Sequence, residues 1–216
     1  MPEARRLLAA AAAGLVLLLA AGCAGTPDQG QLVTGVKTFG DDGMNGAVLP
    51  EPHRLPKATL TATDGEPYAL RQDTDAPLTL VFFGYTHCPD ICQLVMSDIA
   101  SALTRLEPAQ QRKVDMLFVT SDPKRDTPQV LRDYLDRFNP SFEGLTGPLP
   151  RIVDVAHALG VPIEKGARLP SGGYEVAHGT QIVGVRADGT APIVWTEGTS
   201  AAALAEDLTA LLHRSR

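Results

Sequence analysis

The chain has 216 residues, 44% of them hydrophobic and 20% charged, which suits one sizeable core plus some sequence outside it better than two full domains. A net charge of −6 and a pI near 5.3 exclude a general nucleic-acid binder, because phosphate contacts need clustered Lys and Arg, and no such cluster is present. The cysteines are Cys23, Cys88 and Cys92.

Residues 1–22 read as an export signal outside the fold. Arg5 and Arg6 give a positive start, Leu7 to Ala21 is an uncharged apolar run, and Ala20-Ala21-Gly22 supplies small residues before Cys23. The run is too short to favour a spanning helix, which needs about 20 apolar residues. A small-residue box ending in cysteine resembles the bacterial lipobox, although Ala20 stands where that motif usually has Leu. The resemblance implies that Cys23 is acylated, becomes the new N-terminus and anchors the protein to the extracytoplasmic face of the cell membrane. Cys88 and Cys92 are then the only thiols of the exported domain and each other's only intramolecular disulfide partners. Outside the cytoplasm such a pair oxidises unless it is reduced or metallated.

Residues 23–57 read as a lipid-anchored flexible tether, rich in Gly, Pro, Asp and Gln and lacking periodicity, with His53 a solvated residue near its end. The folded domain is expected over 58–214. It opens with a short hairpin in which Ala58–Thr63 and Pro67–Leu70 flank the turn Asp64-Gly65.

Leu78–Gly84 is a near-continuous apolar run, as expected for a strand buried on both faces. From Ile91 to Leu106 the apolar residues Ile91, Val95, Ile99, Ala102, Leu103 and Leu106 follow helical spacing. Cys88 and Cys92 therefore sit where a buried strand gives way to a helix, with Pro89 suited to the early turn. If both cysteines belong to that first turn, their i,i+4 relation places them on one face. The positive end of the helix also favours thiolate. Two cysteines four residues apart close too small a loop for an obvious structural staple, so the pair points to chemistry.

Val114–Thr120 is the next strand, and Pro128 begins a helix with the stripe Val130, Leu131, Tyr134, Leu135 and Phe138. Asp126 or Thr127 can cap it; capping and turn roles explain Asp122 and Asp126 more simply than metal ligation does. Residues 142–150 read as a Gly- and Pro-rich loop and Leu149–Leu159 as a helix that carries His157. After the turn Ser171-Gly172-Gly173 come Tyr174–Ala177 and His178. Ile182–Arg186 and Ala191–Trp195 then form a second hairpin across Asp188-Gly189. Ala201–Leu212 closes the chain as an amphipathic helix, with His213 in its frayed end.

This order defines a mixed α/β layer fold. A cysteine pair at the junction of a central strand and its following helix points to a thioredoxin-like architecture, with an added N-terminal β-hairpin and a late hairpin insertion. The spacing is CxxxC, not the CxxC of thiol oxidoreductases.

Three separated motifs in order carry a specific resemblance: Gly84-Tyr85-Thr86-His87-Cys88-Pro89-Asp90-Ile91-Cys92, Asp122-Pro123-Lys124-Arg125-Asp126-Thr127-Pro128, and Phe142-Glu143-Gly144-Leu145-Thr146-Gly147. Together they resemble the Sco/SenC family of copper proteins, over roughly residues 55 to 213. The resemblance implies a thioredoxin fold, membrane attachment, and copper bound by Cys88, Cys92 and a distant histidine. It also implies a metallochaperone rather than an enzyme, delivering copper to the copper-accepting subunit of cytochrome c oxidase, with other copper chaperones or thiol reductants as further partners. The histidine at the family's position is His178; Ala177 precedes it where the family commonly has an acidic residue.

That ligand set is chemically coherent. Two thiolates are soft donors that suit Cu(I), and imidazole accepts both Cu(I) and Cu(II). With a neutral imidazole the net charge is −1 for Cu(I) and zero for Cu(II), and the open fourth position permits handover by ligand exchange. Structural zinc sites normally close with four protein ligands, and three are available here. The competing function is thiol–disulfide exchange, in which Cys88 attacks a partner's disulfide and Cys92 resolves the mixed intermediate. A peroxidase reading is weaker, because peroxiredoxins generally need Thr or Ser three positions before the reactive cysteine and Tyr85 stands there.

Overall fold

The computed structural model describes residues 43–168 and 174–214. The expected export signal, Cys23 and the first part of the expected tether lie outside the described residues. The centre of the molecule is β4 (Leu78–Gly84), in which every residue is buried, as its unbroken apolar run predicts. It pairs in parallel with β5 (Val114–Thr120), and β5 pairs in parallel with β6 (Glu143–Leu145). On its other side β4 runs antiparallel to β9 (Ile182–Arg186), which forms the expected hairpin with β10 (Thr190–Trp195).

The edge beyond β10 is closed by β1 (Ala47–Arg54), giving a six-stranded sheet in the order β1-β10-β9-β4-β5-β6. The tether read over 23–57 is corrected here, since residues 47–54 are a strand of the main sheet. Pro50 and Pro52 obscure it in the sequence, but an edge strand tolerates residues without an N–H, and the register shifts between Val48 and His53. The start of the strand is fastened by buried Asp207, which accepts hydrogen bonds from the Gly46 amide (2.7 Å), the Asn45 amide (2.9 Å) and Trp195 Nε1 (2.7 Å).

The N-terminal hairpin is present as β2 (Thr59–Thr61) and β3 (Pro67–Ala69), with Gly65 of its turn at φ 88°, a conformation that glycine adopts without a Cβ penalty. It joins the end of β6 through a Thr61–Thr146 bridge. Thus residues 143–145 are a short strand rather than loop. A further hairpin is formed by β7 (Ile163–Arg168) and β8 (Tyr174–His178), of which only the second strand is evident in the sequence.

The helices are α1 (Leu70–Asp73), α2 (Ile91–Thr104), α3 (Pro108–Gln111), α4 (Pro128–Leu135), α5 (Leu149–Ala158) and α6 (Ala201–Arg214). α2 buries Cys92, Val95, Met96, Ile99, Ala102 and Leu103, matching the predicted stripe, and packs against α6. α4 has Pro128 at its start and is capped by Thr127, whose hydroxyl accepts from the Val130 amide. Its Leu131 and Leu135 close on Gly144, where a Cβ would lie 2.9 Å from Leu135 Cδ1. Among the described residues no helix is long and apolar enough to cross a membrane.

Candidate metal centre

β4 ends at Gly84, and the chain must turn at once to start α2 seven residues later. Gly84 allows the close approach of the strands: a Cβ there would meet Phe118 Cε2 at 2.9 Å. Cys88 lies in the turn and Cys92 is the second residue of α2, so the turn, rather than one helical face, brings them together. The Cys92 amide, one of the helix's otherwise unsatisfied N–H groups, donates to Cys88 Sγ at 3.4 Å. The sulfur thus does the work of an N-cap that the Asp90 side chain does not perform. Both cysteines are reduced and buried.

His178 is the last residue of β8, paired with Ile163. Its Nε2 lies 3.7 Å from Cys92 Sγ, and one donor atom from each of Cys88, Cys92 and His178 falls within 4.8 Å of the others. The ring is held edge-on by Tyr85 (centroids 5.8 Å apart) and Phe82 (6.3 Å). Its Nδ1 is 3.0 Å from the Gly179 carbonyl oxygen. A carbonyl can only accept, so Nδ1 carries the proton in the neutral ring and the Nε2 lone pair points to the sulfurs. Ligating histidines usually receive this support from a carboxylate or carbonyl. Here the backbone of Gly179 supplies what Ala177 does not.

The electrostatics separate the two sulfurs. Cys88 is pushed down to about 4, chiefly by a hydrogen bond from the Cys92 thiol; burial opposes this, and the Asp90 and Cys92 amides reinforce it. Cys92 is shifted strongly upward by the same hydrogen bond and by its burial. The pair therefore holds one proton and one negative charge, which metal binding would replace by releasing that proton. Two soft sulfurs and one oriented imidazole, with no fourth protein donor among the described residues, fit Cu(I) or Cu(II) and leave a coordination position open.

A buried carboxylate holds this arrangement. Asp126 accepts from the Thr86 amide (3.0 Å), the Thr86 hydroxyl (2.6 Å) and the Thr120 hydroxyl (2.6 Å), tying the cysteine turn to the end of β5. The sequence suggested a cap or turn role for Asp126, and this long-range one carried no local signal. Asp122 instead pairs with Arg125, whose guanidinium lies over the Tyr85 ring. Neither aspartate belongs to the sulfur–imidazole cluster. His87 adjoins Cys88 but is outside the cluster and exposed, as are His157 and His213.

The fold and centre define a thioredoxin-like domain with a two-cysteine, one-histidine metal-binding arrangement. The SCO1/SenC family model matches residues 53–213, and the chain belongs to that family. A putative copper-binding protein from Stutzerimonas stutzeri is 31% identical over 149 residues, covering 69% of this chain and 72% of that protein. Matches to mitochondrial SCO2 of Saccharomyces cerevisiae and an SCO2-like protein of Rickettsia prowazekii span 32% and 38% of those proteins. Among solved structures, apo Sco1 from Thermus thermophilus is similar at a TM-score of 0.69 and 31% identity, covering 78% of this chain and 96% of that one. ScoI of Bradyrhizobium japonicum with copper bound gives a TM-score of 0.64 at 30% identity, covering 74% and 97%.

Proposed function

We propose that this protein is an extracytoplasmic, lipid-anchored copper chaperone that binds one copper ion through Cys88, Cys92 and His178 and delivers it to the copper centre of cytochrome c oxidase. The observation that carries the reading is the convergence of the three donor atoms within 4.8 Å, two of them from one turn and the third from a hairpin 86 residues later. The similarity to a copper-bound ScoI supports copper as the metal. With three protein ligands, an acceptor's thiol or imidazole can enter the fourth position before Cys88 or Cys92 leaves, so copper is never released to water.

The delivery step is tested by mixing the copper-loaded full chain with the apo copper-accepting domain of the oxidase, separating the two and measuring the copper content of each. Transfer that depends on His178 and both cysteines supports the reading; an acceptor that gains no copper contradicts it. The anchor is tested by metabolic labelling with palmitate: label should enter the wild type and be absent from Cys23→Ser. Equal labelling of both would contradict the lipid anchor.

A second reading is favoured by the depressed pKa of Cys88. The Cys88 thiolate attacks one sulfur of a partner disulfide and expels the other as thiolate. Cys92, losing its proton, then attacks Cys88 and frees the second partner thiol. Two electrons pass from the pair to the partner, leaving a Cys88–Cys92 disulfide that a thiol reductant must reopen. His178→Ala separates the two activities, because it removes a copper ligand and leaves both sulfurs.

A further inference from the structure

His87 sits next to Cys88 but takes no part in the three-donor cluster, and its side chain is 58% exposed. Its Nδ1 is nonetheless engaged by a hydrogen bond. The Thr86 hydroxyl has a single proton, and the 2.6 Å bond to Asp126 Oδ1 commits it there, because a carboxylate only accepts. The contact of 2.9 Å between Thr86 Oγ1 and His87 Nδ1 must then run the other way, with Nδ1–H donating to the threonine oxygen. The buried Asp126 carboxylate, 3.9 Å from Nδ1, favours the same placement of the proton. The neutral ring therefore presents an unprotonated Nε2, and among the described residues nothing bonds it.

This carboxylate–hydroxyl–imidazole chain is the support that metal-ligating histidines ordinarily have. A freely solvated histidine gains nothing from such a connection. The cysteine sulfurs, by contrast, are buried, with Cys88 6% and Cys92 0% exposed. Copper arriving from outside therefore meets the histidines before the sulfurs: the partly exposed His178 of the cluster and the more exposed His87 beside it. His87 borders an open depression of about 350 Å³ between the cysteine turn and α4, which leaves room at the ring for an incoming ligand; none of the three donors lines it.

We infer that His87 is the entry and exit ligand of the copper site, with Nε2 binding copper transiently and passing it to the neighbouring Cys88 by ligand exchange. The imidazole and thiolate hang from adjacent Cα atoms about 3.8 Å apart; His87 lies outside the three-donor cluster, so rotation of its exposed side chain accompanies the handover. No electron moves: a Cu–N bond breaks as a Cu–S bond forms, and the Cys92 proton leaves to solvent when the second sulfur binds. The inference rests on the copper reading above.

Its test is kinetic. The reduced full chain in detergent is mixed anaerobically with Cu(I) supplied as its weak acetonitrile complex, and the growth of copper–thiolate ultraviolet absorption is timed. Release to bicinchoninate is timed separately, and Kd is obtained by competition. Removing a ligand present only on the path must slow loading and release by the same factor and leave Kd unchanged. His87→Ala should slow both by roughly tenfold, the scale expected when a capture step that raises local concentration is lost, and His157→Ala should slow neither. Unchanged rates in His87→Ala overturn the inference. So does faster release with a weakened Kd, which would make His87 a resident ligand. A wild-type chain that takes up no Cu(I) instead overturns the copper reading itself.

Discussion

The Nε2 of His178 lies 3.7 Å from the Sγ of Cys92, although 86 residues of chain separate them. The contact exists because β8 ends at His178 while α2 begins beside β4, and the Gly179 carbonyl fixes which ring nitrogen faces the sulfur. Removing this imidazole leaves two sulfurs and no nitrogen donor in the cluster. His178→Ala should weaken copper binding by more than the ~10–100-fold typical of losing an outer supporting group. The loss should be larger for Cu(II), which depends more on nitrogen donors, than for Cu(I). Competition against chelators of known affinity measures both.

Asp126 is the internal anchor of the cysteine turn. Asp126→Asn keeps the shape but cannot accept hydrogen bonds at both oxygen positions, where Thr86 and Thr120 donate. At least one donor is then left facing an NH2 group inside the protein. The expected cost is roughly 2–4 kcal/mol of stability, read from urea unfolding, together with weaker copper binding because the turn that carries Cys88 loosens. Unchanged stability would show that Asp126 is not the anchor.

Cys88 should be a thiolate across the physiological range. Alkylation of the reduced protein at Cys88 should stay nearly level from pH 8 down to about 5 and fall as pH approaches 4, where this thiol titrates. The linkage has a definite sign. A folded-state pKa depressed below the unfolded thiol value gives stabilisation that is fully present above the unfolded value and is lost as pH falls through about 4. Cys92 acts oppositely, because its raised pKa gives stabilisation present below the unfolded value and lost as pH rises beyond it. An alkylation profile centred at the ordinary thiol value would contradict this division of charge.

Asp207 fixes the start of β1 and the only tryptophan of the chain. Asp207→Ala orphans the Trp195 Nε1–H and the amides of Asn45 and Gly46, and should cost about 3–5 kcal/mol. Trp195 fluorescence reports the loss directly. The affinity for copper at low temperature, where the variant stays folded, should be unaffected, since none of the three donors touches this clasp.

How much of this was legible in the sequence depends on how local each signal is. The apolar run of β4, the 3.6-residue spacing of α2 and the CxxxC between them are contiguous, so the cysteine pair and its setting could be read directly. His178 could be assigned only through family resemblance, because its position depends on how a distant hairpin folds back. β1 was hidden by Pro50 and Pro52, which an edge strand accepts and a central strand would not. β6 has only three residues within a Gly-rich stretch, and β7 is interrupted by Glu164, Lys165 and Gly166, so neither displays a clear alternation. Asp126 resembled a helix cap because it precedes Thr127-Pro128; its partners Thr86 and Thr120 become visible only once β4 and β5 lie side by side.

Whether Cys88, Cys92 and His178 act as one copper site is decided by titrating the reduced full chain with Cu(I) and recording X-ray absorption at the copper edge. One copper per chain is expected, coordinated by two sulfurs and one nitrogen in the wild type and by two sulfurs without that nitrogen in His178→Ala. Absence of stoichiometric binding, or a wild-type spectrum unchanged by His178→Ala, would contradict it.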